Sequence, residues 1–152
     1  MQNQKKIASA LNDLLTRNYD AEKGYTEGGT HVGDGQLRKW MFENAERRKR
    51  FGKNIKAMIR ELGEAPDKGS SFLGDLHRTW MDIKSNTTKN VEEVVLEECL
   101  RGEEKAIEDY NQVLNEVDMP AHMQETLAQQ RDEIAAAYED VKQLEKSYDQ
   151  TS

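Results

Sequence analysis

Residues 96–117 read LEECLRGEEKAIEDYNQVLNEV. Starting from Leu96 and alternating steps of three and four gives Cys99, Glu103, Ala106, Tyr110, Val113 and Val117. That spacing is the inward seam of a helix in a bundle, and Val95, Ile107 and Leu114 widen it. Asp118-Met119-Pro120 breaks the pattern, and proline suits the first turn of a following helix. One seam position is out of keeping with an apolar core: Glu103.

The pattern repeats in both directions. Downstream, Leu127, Gln130, Ile134, Ala137, Val141, Leu144 and Tyr148 form the seam of a fourth helix. Upstream, Ile7, Leu11, Leu14, Asn18, Ala21 and Tyr25 form that of a first, with Gly28-Gly29 as a glycine stop. A Gly-rich loop at Thr30-His31-Val32-Gly33-Asp34-Gly35 leads into a second, with Leu37, Met41, Asn44, Arg48, Phe51, Ile55, Met58 and Leu62, closed by Gly63. The spacing predicts helices over about 3–28, 36–62, 91–117 and 121–149. Short links make two antiparallel hairpins. The connection from Gly63 to Asn90 is long enough to run the length of a bundle and carries a predicted short helix over about 71–84, which Ser70 or Ser71 can cap. The expectation is one all-α domain over 1–152: an up-down four-helix bundle of two hairpins joined by a long crossover.

Composition agrees. At 152 residues, folding can bury about 68–70% of the unfolded surface, so a core needs no staple. A net charge of −7 argues against nucleic acid, which demands a clustered positive field. The run Arg47-Arg48-Lys49-Arg50 lies inside a helical pattern and reads as a solvated face partly engaged in internal ion pairs. No stretch approaches the roughly 20 apolar residues of a membrane span, and the start of the chain has no apolar leader segment. With Cys99 as the lone cysteine, a reducing, cytoplasmic setting is expected. On an apolar seam, Cys99 reads as a small hydrophobe.

Two helices echo each other. Asn18-x-x-Ala21-x-x-x-Tyr25 and Glu103-x-x-Ala106-x-x-x-Tyr110 share spacing and place in their hairpins, as an internal duplication would leave them. Glu-x-x-Ala-x-x-x-Tyr resembles the pattern on the first and third helices of the ferritin and rubrerythrin superfamily, where the Glu is an iron ligand. Arg101-Gly102-Glu103-Glu104 running to Tyr110, and Leu76-His77-Arg78-x-Trp80-Met81-Asp82-Ile83-Lys84 in the crossover, resemble a bacterial ferritin-like family known only as a domain of unknown function. The resemblance runs from about Ile7 to Tyr148. It implies a ferritin-like fold and brings no activity with it.

A di-iron carboxylate bundle needs a Glu from each of two helices and a Glu-x-x-His from each of the others. The three histidines, His31, His77 and His122, fall outside such positions. Against the family pattern, the ligand positions read Asn18 on the first helix, Asn44 and Arg47 on the second and Glu103 on the third, with Gln130, Glu133 and Ile134 as candidates on the fourth. One carboxylate cannot hold two hard cations, so no cofactor is expected; if a metal binds, Glu103 and Glu133 are its candidates, with iron the alternative cofactor. A polar layer of Asn18, Asn44, Arg47, Arg48, Glu103 and Gln130 is expected instead. In it a guanidinium can meet Glu103 bidentately and fix helix register.

No nucleophile-base or phosphate-cradling motif is visible. Phe72, His77, Arg78, Trp80 and Met81 in the crossover suggest an interface. The first functional reading is a non-catalytic helical protein, a homo-oligomer such as a dimer, acting through self-association or a protein partner under stress. The alternative is a metal-binding or ferroxidase-like protein with an unconventional site around Glu103. A third is a small-ligand pocket within the bundle, on which the sequence has nothing to say.

Overall fold

The computed structural model describes residues 2–33, 35–69, 81–82 and 90–151. It contains four long helices: α1 (Gln2–His31), α2 (Gly35–Glu61), α3 (Val91–Glu116) and α4 (Ala121–Thr151). Among the described residues there is no strand. α1 packs along α2 and α3 along α4, while α1–α3 and α2–α4 contacts complete the bundle.

The expected stop at Gly28-Gly29 is corrected: α1 runs on to His31. A glycine stop works by adopting positive φ, and among the described residues only Gly63 and Gly69 do so. Gly29 answers a different need. A Cβ there would lie 2.7 Å from Cε1 of Phe42, so its missing side chain leaves room for the Phe42 ring from α2. The turn beyond α1 is closed from α2, where Arg38 donates through Nε and Nη2 to the Val32 carbonyl at 3.0 and 2.7 Å.

Gly63 does end α2. At φ 76° it donates its N–H to the Arg60 carbonyl, and Glu64 donates to that of Ile59. This pair of bonds is a Schellman closure. The chain leaving it is pinned to α1 through Asn12, which donates to Ala65 and accepts from the Asp67 N–H. The predicted crossover helix lies outside the described residues except for Met81 and Asp82, both helical. At the far end of the crossover, Asn90 caps α3 by accepting from the Glu92 N–H at 2.9 Å. Glu92 and Glu93 then place negative charge in the first turn, where the helix dipole favours it. α4 starts directly after Pro120, whose carbonyl accepts from Met123 and Gln124.

The interior is two apolar clusters. One gathers Leu11, Leu14 and Leu15 of α1, Phe51, Ile55 and Ile59 of α2, Tyr110 of α3 and Met123, Leu127 and Ile134 of α4. The other gathers Tyr25 and Val32, Leu37, Trp40 and Met41, Val95, Leu96 and Cys99, and Ala137 and Val141. All four helices contribute to both.

Candidate functional site

Where the helices pass from one cluster to the other, each supplies a buried polar side chain. Asn18, Asn44, Arg48, Glu103 and Gln130 are no more than 2% exposed. All five occupy seam positions, so the amphipathic spacing that drives neighbouring leucines inward carries them in as well.

Arg48 organises the layer. Its Nη1 donates to Glu103 Oε1 at 3.1 Å and its Nε to Asn18 Oδ1 at 2.6 Å. The expected bidentate grip on Glu103 is therefore corrected: the guanidinium divides between a carboxylate and an amide because both lie within its reach. Asn18 passes the chain on, donating through Nδ2 to the Leu14 carbonyl at 2.8 Å and to the Tyr110 hydroxyl at 2.9 Å. Tyr110 in turn donates to Gln130 Oε1 at 2.7 Å, and Gln130 donates to the Phe51 carbonyl at 3.4 Å. The Tyr25 hydroxyl donates to Glu103 Oε1.

The two echoed motifs are thus crossed. Tyr25, which ends the α1 motif, bonds to Glu103, which opens the α3 motif; Tyr110, which ends the second, bonds to Asn18, which opens the first. Spacing exposed the echo, but only the packing of α1 on α3 reveals that each tyrosine serves the other motif. Tyr25 is further held edge-on to Trp40, with ring centroids 5.3 Å apart and planes at 89°. The Trp40 Nε1–H donates to the Ala137 carbonyl at 3.2 Å.

Burial and then the Glu103 charge hold the Tyr25 hydroxyl well above the ordinary tyrosine value. Burial lifts Tyr110 to about 12, against the opposing pull of Arg48. Both are neutral donors at physiological pH. The Cys99 thiol is pushed up by burial and by Glu103, the reverse of an activated nucleophile.

Two buried polar atoms of the layer have no partner: Glu103 Oε2 and Asn44 Nδ2. Arg47 does not join the buried set as expected. It is half-buried, donates to Asn44 Oδ1 and lies 4.0 Å from Glu133. Glu133 is 38% exposed and 3.2 Å from Arg50, so the suggested pairing with Glu103 at one metal is not assembled. It turns toward α2 arginines at the surface because it lies one residue before the seam position Ile134.

The donor set does not fit a pair of hard cations. Arg48 sits on Glu103, the facing groups are amides, and among the described residues no cluster of three or more His, Cys, Asp or Glu can hold a metal. His31 closes α1, and His122 is exposed beside Glu61 at 3.0 Å.

A half-open cavity of about 250 Å³ lies between α1 and α3. Ala21 and Gly24 line it from one helix, and Cys99, Gly102 and Ala106 from the other. It reaches inward to Tyr25, Arg48 and Glu103. Small side chains at these positions leave the space between the two helices unfilled. Of the suggested interface residues, Phe72, His77, Arg78 and Trp80 lie outside the described residues, and Met81 is 41% exposed. No helix among the described residues is long and apolar enough to cross a membrane.

Residues 6–116 match a family described as Domain of unknown function (DUF2383), a span reaching from the second turn of α1 to the end of α3. No curated protein matches the sequence.

Proposed function

The chain belongs to the DUF2383 family, and from that premise we propose that it is a ferritin-like, non-catalytic helical bundle that acts by association, its metal layer replaced by a structural polar one. The observation that carries this reading is the Arg48–Glu103 contact, both side chains at most 2% exposed. A guanidinium at 3.1 Å supplies the positive charge that a cation would otherwise bring to the carboxylate. A cation entering there meets Arg48 first, and displacing it would leave a buried charge uncompensated.

The up-down arrangement of two hairpins is the topology this reading implies. Its support is the short link between paired helices and the inverted order in which the two helices of each pair meet the two cores, α2 and α3 meeting them in the same order as a crossover along the bundle would require. The association surface is assigned to the crossover residues Phe72, His77, Arg78, Trp80 and Met81. Its support is their aromatic and basic composition, which favours interfaces. A homo-oligomer in the cytoplasm is the simplest form of this reading.

The test is metal analysis of purified protein after incubation with Fe(II), with Glu103→Ala as control and oxidation followed in parallel. The expected result is no stoichiometric iron in either protein. Iron bound by the native chain and lost in the variant would restore the ferroxidase-like reading around Glu103.

A further inference from the structure

A chain of net charge −7 carries one dense stretch of positive charge, on α2. From Arg47 to Arg60 there are seven lysines and arginines and no carboxylate. Arg48 is buried on Glu103, and Arg47 and Arg50 share Glu133 at 4.0 and 3.2 Å. Lys49, Lys53 and Arg60 are exposed, and among the described residues none of them has an ion-pair partner. With Lys56, whose ammonium lies over the Tyr19 ring, they are spaced four, three and four residues apart, which makes one stripe along the outer face. Set against Glu46, Glu61 and Glu133, the six cations other than Arg48 still leave this face at +3.

The far side of the bundle is the reverse. α2 and α3 stand at diagonal corners, each packed on α1 and α4, so their outer faces point away from each other. On α3, Glu97, Glu104 and Glu108 are exposed and have no ion-pair partner among the described residues. The neighbouring cations Arg101 and Lys105 are held by Glu98 and Asp109, at 2.6 and 2.9 Å. The acidic ridge continues onto α4, where the Tyr138 hydroxyl donates to Glu104 at 2.7 Å. That bond first, and the charges of Glu104, Glu139 and Glu145 among the further causes, hold the phenol above the ordinary tyrosine value.

We infer that the basic face of α2 docks on the acidic face of α3 in a second copy of this chain, so that copies add head to tail. The two helices run the same way, since the early residues of both line the Tyr25 cluster and the later ones the Tyr110 cluster. A copy therefore meets its neighbour by a sideways step without rotation. Because Arg48 touches Glu103, the basic stripe is centred roughly six residues, or about 10 Å, further along the bundle than the acidic one, and the step includes that slide. Two faces on opposite sides cannot both be satisfied within one pair, so the assembly is open-ended. Surface ion pairs are individually weak and screened by salt, so growth belongs to low ionic strength.

The inference rests on the reading that the chain acts by association, but it uses a surface other than the crossover, and the two can fail separately. Sedimentation velocity of the full chain is followed over a concentration series at about 10 mM salt, where screening acts over about 30 Å, and at about 0.15 M, where it acts over about 8 Å. At the lower salt the average mass should climb past that of a dimer without levelling, and at the higher it should fall back to the smallest species. Two variants each blank one face at exposed positions: Lys49→Gln with Lys53→Gln and Arg60→Gln, and Glu97→Gln with Glu104→Gln and Glu108→Gln. Each alone should melt near the native temperature and stay at the smallest species in low salt, while an equimolar mixture forms complexes containing both. Growth that levels at a dimer, or a mixture no larger than its parts, overturns the inference. Low-salt growth that both variants keep overturns it and leaves association through the crossover standing; a native chain that stays single at both salts overturns the two together.

Discussion

At the scale of single residues the protein turns on Arg48 and Glu103. A buried pair of this kind adds little net stability over an apolar pair, but removing one member leaves the other charged and alone. Glu103→Gln or Arg48→Met should therefore cost about 3–5 kcal/mol in urea unfolding at neutral pH. The double replacement Arg48→Met with Glu103→Leu should recover most of that loss. A single variant costing no more than the roughly 0–1 kcal/mol of a surface ion pair would show that the layer is not held by this contact. Much of this was legible beforehand: Asn18, Asn44, Glu103 and Gln130 fall on seam positions, and a seam position faces inward whatever its side chain. That only Arg48 of the expected pair, Arg47 and Arg48, turns fully inward was not legible. Adjacent helical positions differ by about 100°, and both lay near the edge of the inner stripe. Packing decides it, because Arg48 alone has two buried acceptors, Glu103 and Asn18, in reach.

At the scale of helices, the glycines separate into kinds that sequence does not distinguish. Gly63 has φ 76° and closes α2, so Gly63→Ala should destabilise by about 1–2 kcal/mol. Gly102 sits inside α3 with open space where a Cβ would go, so Gly102→Ala should stabilise by about 1 kcal/mol. Thermal melts of the two variants should move in opposite directions, the second upward by about 2–4 °C for a domain of this size. Gly102→Ala melting below the native chain would mean that the glycine serves a close contact instead. Gly28-Gly29 shows the limit of local reading. Two glycines after an amphipathic run predict a stop, yet Gly29 is helical, and its bare backbone receives the Phe42 ring from α2. That partner is thirteen residues further along the chain and enters no local pattern.

At the scale of the molecule, Tyr110 belongs to one apolar cluster and Tyr25 to the other, and both bond into the layer between them. Their hydroxyls titrate higher folded than unfolded, so the folded state holds more protons in that range and stability must fall as pH rises. The contribution is complete below about pH 10, where an unfolded tyrosine ionises, and is lost as pH rises through the folded value of Tyr110, about 12. Urea midpoints should hold steady to about pH 10 and then decline, with tyrosinate absorbance appearing as the chain unfolds. Tyr110→Phe should flatten part of the decline; an unaltered slope would place its origin elsewhere. The periodic apolar spacing by itself determined four helices, their approximate limits and the polar residues among their seams, because burial on a helix is a matter of angular position and the sequence states that position directly. Only the tertiary structure decided that the echoed motifs bond crosswise, that Arg48 divides itself between Glu103 and Asn18, and that small residues on α1 and α3 leave a cavity beside a bare carboxylate oxygen. Each of these depends on how far one helix lies from another and how it is rotated, and no single helix's sequence contains that distance.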